Sequence, residues 1–198
     1  MKKIFALAIL ICAIEAFGQM PNTTYVTPYL GAAVPSNLSN YKSSFTAGAN
    51  FEFALTKAAV FGFDVNFANL ISKNNSSVFP AVLGYTYYGS GNYATMGFMV
   101  FAKLQNAEAV KSPVQPFVKI GAGTSLISQT EFYSMINGFT NLTPVSTSTG
   151  LLFAPSLGAN IMIHSKNKIV LEAQYRINKS DTDDVRQFLF TLGYSFRL

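Results

Sequence analysis

The chain has 198 residues, 14 Lys+Arg against 9 Asp+Glu, and a charged fraction of only 12 per cent, half the ~25 per cent of an ordinary soluble domain. With 49 per cent hydrophobic residues, this composition excludes a disordered, solvating chain, and the formal net charge of +5 is too small to imply nucleic acid. After residue 14 no stretch approaches the roughly 20 uninterrupted apolar residues a membrane-spanning helix needs. The apolar surplus must therefore be spread thinly along the chain.

In chain order, the first element is an export signal. Lys2 and Lys3 precede an apolar run from Ile4 to Ile14, and Ala16-Phe17-Gly18 supplies small residues where a signal peptidase requires them. The expected cut lies between Gly18 and Gln19, giving a signal peptide over 1–18 and one domain over 19–198. Cys12 follows Ile11, not the small residue of a lipidation signal. Removing residues 1–18 leaves 12 basic and 8 acidic side chains and no cysteine, which excludes disulfides, thiol catalysis, thiolate metal sites and iron–sulfur ligation. His164 is the only histidine.

From residue 23 onward the chain has one period, and it is two. Candidate strands run over 23–34, 44–55, 59–71, 77–88, 92–104, 114–128, 148–163, 168–178 and 186–198, nine segments of 11 to 16 residues, well above the usual strand length of about five or six. Over 44–55, Phe45, Ala47, Ala49, Phe51 and Phe53 oppose Ser44, Thr46, Gly48, Asn50 and Glu52. Over 59–71, Phe61, Phe63, Val65 and Phe67 oppose Gly62, Asp64 and Asn66. Over 168–178, Ile169, Leu171, Ala173, Tyr175 and Ile177 oppose Lys168, Glu172, Gln174, Arg176 and Asn178. The last segment sets Phe188, Phe190, Leu192, Tyr194, Phe196 and Leu198 against Gln187, Thr191, Gly193, Ser195 and Arg197, with Leu189 alone breaking the rule. Breakers such as Pro35-Ser36-Asn37, Lys73-Asn74-Asn75 and Lys179-Ser180-Asp181 separate the segments. Phe79, Phe153 and Phe188 each open a Phe-x-x-x-Leu-Gly hexamer, an offset that puts the aromatic on one face and the glycine on the other.

If the apolar faces point outward, Glu52, Asp64, Lys119, Glu172, Arg176 and Arg197 share one enclosed space, where buried ions persist only when paired. In a soluble protein the same residues would face water. Against that stands the number and length of the apolar faces, which cannot cover one another without helices, and no helical period is present.

These residues resemble the small outer-membrane β-barrels of Gram-negative bacteria, the families of OmpX and the OmpA membrane domain. The similarity spans about 23–198. Its most specific part is Thr191, Gly193, Phe196 and Leu198, which match the polar-x-Gly-x-x-aromatic-x-hydrophobic ending that barrel-assembly machinery reads in such families. Tyr29-Leu30-Gly31 and the run Pro116 to Gly123 are similar to family strands. The resemblance implies an all-β, closed, antiparallel up-and-down barrel surrounded by outer-membrane lipid. Physics points the same way, because only helices or closed sheets satisfy their backbone in a bilayer. Tyr25, Tyr29, Tyr87, Tyr88, Tyr93, Tyr175 and Tyr194 are candidates for an interfacial girdle. Nine segments conflict with the even number that an up-and-down barrel of this kind requires. Eight strands result if 77–88 is an extracellular excursion, and ten if 128–137 is a further strand; eight is favoured on the resemblance.

A barrel of this size holds side chains or one small ligand. The expected function is that of a non-enzymatic integral outer-membrane protein whose lumen is filled by its own side chains, with loops around 35–43 and 129–147 for contacts or envelope integrity. One alternative is a lipid-modifying barrel enzyme, for which His164 beside Ser165 is the candidate pair; it falls in a turn expected on the periplasmic side, and adjacent strand residues diverge. The other is a secreted lipocalin-like carrier, apolar inside and polar outside. No cofactor, metal or nucleic-acid partner is expected, and Gly121-x-Gly123 is no nucleotide site. The ligand or protein partner of the loops is left open by the sequence.

Overall fold

Strict alternation over more than ten residues gives each strand an apolar face that must meet lipid or a core, and the chain resolves this by closing on itself. The computed structural model describes residues 23–73, 77–81, 84–88, 92–105, 113–129, 132–136, 139–143, 146–163, 167–181 and 184–198. Eight long strands form the wall: β1 (Thr23–Pro35), β3 (Ser44–Ala54), β4 (Ala59–Ser72), β7 (Tyr93–Gln105), β8 (Val114–Gln129), β11 (Ser146–Met162), β12 (Asn167–Lys179) and β13 (Asp184–Arg197). Each pairs antiparallel with the next along the chain, and β13 returns to pair with β1 through Tyr25↔Arg197 to Pro35↔Gln187, which closes the ring. A two-residue strand, β2 (Tyr41–Lys42), pairs with the end of β4.

The segment 77–88 is not a wall strand. It folds into a hairpin, β5 (Ser77–Ala81) and β6 (Gly84–Tyr88), turning at Ala81↔Gly84. A second hairpin, β9 (Phe132–Ile136) and β10 (Phe139–Thr143), arises between β8 and β11. The two join through Tyr87↔Met135 and Tyr88↔Ser134 into a separate four-stranded sheet, in the order β10-β9-β6-β5. The ten-strand alternative fails for the same reason: Ser128 and Gln129 finish β8, and 132–136 belongs to this second sheet. Both hairpins leave the wall at the end opposite the chain termini, here termed the loop end; the other is the terminal end.

The two faces of the wall have opposite chemistry. Leu30, Val100, Val118, Leu151, Leu157 and Leu192 are all more than half exposed on the outside, accompanied by phenylalanines such as Phe45, Phe98 and Phe190. Phe51 and Phe63, cross-strand partners on β3 and β4, stack with ring centroids 4.7 Å apart. Thr46, Asn50, Glu52, Asp64, Asn66, Lys103, Lys119, Gln174, Arg176 and Gln187 are buried inside. This polarity is the reverse of a lipocalin's and overturns the soluble-carrier alternative. Tyr29 is buried and Tyr25 lies under the Lys168 ammonium, so neither belongs to an interfacial girdle.

Inside, bulky groups lie over glycines. A Cβ built on Gly62 would stand 2.6 Å from the Phe101 ring, one on Gly158 2.4 Å from the Phe117 ring, and one on Gly97 2.9 Å from Arg176 Nη1. The hexamers beginning at Phe153 and Phe188 do send phenylalanine outward and glycine inward. The copy beginning at Phe79 lies in the β5–β6 hairpin, and its residues 82 and 83 fall outside the described residues. Towards the loop end an apolar cluster joins buried Thr95, Asn178 and Gln187: Ala33, Ala68, Leu70, Ile127, Val185 and Leu189 form one buried group, with Leu38, Tyr41 and Tyr93 packed against it. Leu189 thus keeps the inward direction of its strand; it breaks the chemical pattern because it packs within this group.

Val100 sits near the middle of β7, in register with Phe63 and 69 per cent exposed. Val100→Arg is expected to destabilise the barrel by about 2–4 kcal/mol, the cost of a lipid-facing arginine near the bilayer midplane. Urea unfolding of the protein refolded into lipid vesicles measures this.

Candidate functional site

Alternation on β12 sends Lys168, Glu172, Gln174, Arg176 and Asn178 into the lumen, in that order from the terminal end to the loop end. Three of these are charged, and each reaches a different strand across the interior. Lys168 Nζ lies 2.8 Å from Glu52 Oε2 on β3. Glu172 Oε1 lies 2.6 Å from Lys119 Nζ on β8. Arg176 Nη2 donates to Asp64 Oδ1 on β4 at 2.7 Å, while its Nη1 donates to Asn66 Oδ1 at 2.6 Å and its Nε to Gln174 Oε1.

Further partners complete the network. Lys103 on β7 donates to the other oxygen of Glu52 at 2.7 Å and to Asn160 Oδ1 at 3.3 Å. The Asn160 amide donates to Gln105 Oε1 at 3.1 Å. Tyr29 donates its hydroxyl to Asp64 Oδ2 at 2.7 Å. The three lysines also lie over aromatic faces: Lys103 over Phe117 at 4.2 Å, Lys119 over Phe101 at 4.7 Å and Lys168 over Tyr25 at 4.5 Å. Each ring covers one side of an ammonium whose protons point to carboxylates, so the charges are held by neighbours rather than by bulk water.

The structure thus brings Glu52, Asp64, Lys119, Glu172 and Arg176 into one lumen. Arg197 is a correction. Its parity is inward, but it is the last residue of β13 and stands exposed at the terminal mouth, opposite Tyr25. Lys103 and Lys168 belong to the network although the sequence reading left them out of the charged set. Lys103 shares its inward face with Met99 and Phe101, so its segment looks apolar on both sides; Lys168 opens its strand, where a lumen residue and a turn residue look alike. Strand parity was the available signal for both.

Of the C-terminal set, Gly193 is buried, where a Cβ would lie 2.8 Å from the Thr27 methyl; Thr191 and Phe196 are half-buried, and Leu198 is exposed. Gly18, Gln19, His164 and Ser165 lie outside the described residues. Among the described residues no group of three or more His, Cys, Asp or Glu is placed to hold a metal ion.

Residues 4–196 match the family model of the outer membrane protein beta-barrel domain. The chain belongs to this family. This outer-membrane barrel also resembles solved structures in fold. The outer membrane protein OprG from Pseudomonas aeruginosa superposes with a TM-score of 0.55 at 10 per cent identity, over 89 per cent of this chain and 96 per cent of that one. The Neisserial surface protein A superposes with a TM-score of 0.51 at 17 per cent identity, over 88 and 97 per cent. No curated protein matches. Family and fold together place this barrel in the outer membrane.

Within this outer-membrane barrel, removing Arg176 would leave Asp64 buried with its main cationic partner gone. Arg176→Met is expected to cost about 3–5 kcal/mol, whereas Arg176→Met combined with Asp64→Leu recovers most of that loss, since an apolar replacement of a whole buried pair is close to neutral. Equilibrium unfolding in detergent, followed by the gel mobility of the folded barrel, checks both.

Proposed function

We propose that the protein is a non-enzymatic outer-membrane barrel whose lumen is closed by its own side chains and whose loop end, facing the exterior, makes its contacts. The observation that carries this reading is the succession of fillings along the lumen. Paired charges cross it from the Glu52 level to the Arg176–Asp64 level, and towards the loop end the Leu70, Ile127 and Leu189 cluster surrounds a Gln187–Thr95 hydrogen bond of 3.2 Å. A solute would have to break buried ion pairs and then cross hydrocarbon. On this reading export uses residues 1–18 with cleavage between Gly18 and Gln19. The assembly machinery reads Thr191, Gly193, Phe196 and Leu198, and outer-membrane lipid covers the apolar wall.

A catalytic role would need a base beside a nucleophile. The sole histidine, His164, lies in sequence between β11 and β12 with only Ser165 as a neighbouring hydroxyl, and adjacent residues make a poor nucleophile–base pair. The charged groups described in the lumen are engaged with one another, which suits rigidity and not turnover. Planar-bilayer recordings test the reading: the refolded protein is expected to give no large, stable conductance, and a large, stable channel would overturn the closed lumen. A lipase or deacylase activity lost in His164→Ala would overturn the non-enzymatic assignment.

A further inference from the structure

Among the described residues the buried charged side chains are Lys103, Lys119, Lys168 and Arg176 against Glu52, Asp64 and Glu172. Arg176–Asp64 and Lys119–Glu172 balance one to one. The remaining carboxylate, Glu52, is shared by two ammonium groups, Lys103 and Lys168. The excess positive charge is therefore local to the terminal half of the lumen. An uncompensated ion inside a wall surrounded by hydrocarbon is costly enough to demand a counter-charge or to lose its proton.

A second observation falls at the same place. Lys168 is in register with Ser195, and Thr27 with Asn50. Ser195 and Thr27 stand at matching levels, between the pairs Val26↔Phe196 and Tyr29↔Gly193. Asn50, Thr27, Ser195 and Lys168 thus form one inward row across β3, β1, β13 and β12. Thr27 Oγ1, Asn50 Oδ1 and Ser195 Oγ are all buried without a hydrogen-bond partner. Two of the three are hydroxyls free to donate, and the oxygen and nitrogen of an asparagine amide can exchange places. Exposed Arg197 stands at the mouth on the same side, adding positive charge at that end.

We propose that this row, with Lys168 and Lys103, is a binding site for a small monovalent inorganic anion of chloride size, entered from the terminal end. Lys168 supplies charge, and the Thr27 and Ser195 hydroxyls donate hydrogen bonds. The anion balances the second ammonium on Glu52.

Chloride-35 NMR of the detergent-solubilised, refolded barrel tests this directly. Wild type is expected to broaden the chloride line saturably. Ser195→Ala, which leaves all charges in place, weakens the affinity roughly tenfold through loss of one charge-assisted hydrogen bond. Lys168→Met removes the excess charge and abolishes the broadening while keeping the folded gel mobility; if that variant does not fold, Ser195→Ala decides alone. Crystals soaked in bromide should show an anomalous peak beside Ser195 and Lys168. Broadening that never saturates, an affinity unchanged in Ser195→Ala, or bromide found only elsewhere would overturn the site. Occupancy is read separately from conductance, so failure here leaves the closed-lumen reading standing, and a conducting barrel leaves this site standing.

Discussion

A charge that enters a closed β-wall has no water to fall back on, and the interior of this barrel is organised around that requirement. β12 supplies three ions in succession, and each finds its partner on a different strand: β3, β8 and β4. The pairs are therefore cross-braces between wall segments that share no backbone ladder. A pair of this kind adds little net stability against an apolar replacement, yet a single missing partner is severe. Each pair links β12 to a different strand across the lumen, at successive heights.

Volume is handled as strictly as charge. The interior of a narrow barrel has room for a large side chain only where its neighbour is small, and Phe101 over Gly62, Phe117 over Gly158 and Arg176 over Gly97 follow that rule. The same rings cover the lysine ammonium groups, so packing and electrostatics are satisfied by the same residues. Nearer the loop end a hydrocarbon cluster joins buried Thr95, Asn178 and Gln187, so that charges are confined to the terminal half and the middle of the lumen.

Much of this was legible in the sequence because strand parity is geometric. Alternation around Phe63, Asp64 and Val65, or around Leu171, Glu172 and Ala173, assigns inside and outside without ambiguity. It could not say to which sheet a strand belongs: 77–88 alternates acceptably and still leaves the wall, since a hairpin in a loop sheet has the same period as a wall strand. Nor does parity give depth. Arg197 points inward yet stands at the open mouth, whereas Lys103, hidden among Met99 and Phe101, lies fully enclosed. Leu189 shows the converse error, in which an inward residue was expected to be polar because its neighbours are. What parity lacks in each case is a neighbour from a distant part of the chain.

That dependence on distant neighbours bears on how the barrel is made. Glu52 and Lys168 are 116 residues apart, and Asp64 and Arg176 are 112 apart. When β3 and β4 first pair, their carboxylates face an unfinished lumen, and their partners on β12 do not yet exist in ordered form. Glu52 gains Lys103 with β7, but Asp64 has its guanidinium partner only when β12 is in place. A wall placed in hydrocarbon without β12 would carry Asp64 with no cationic partner. Contacts so remote in sequence also slow the search for closure. Neutralisation of the lumen thus depends on β12, the neighbour of the strand that closes the wall onto β1.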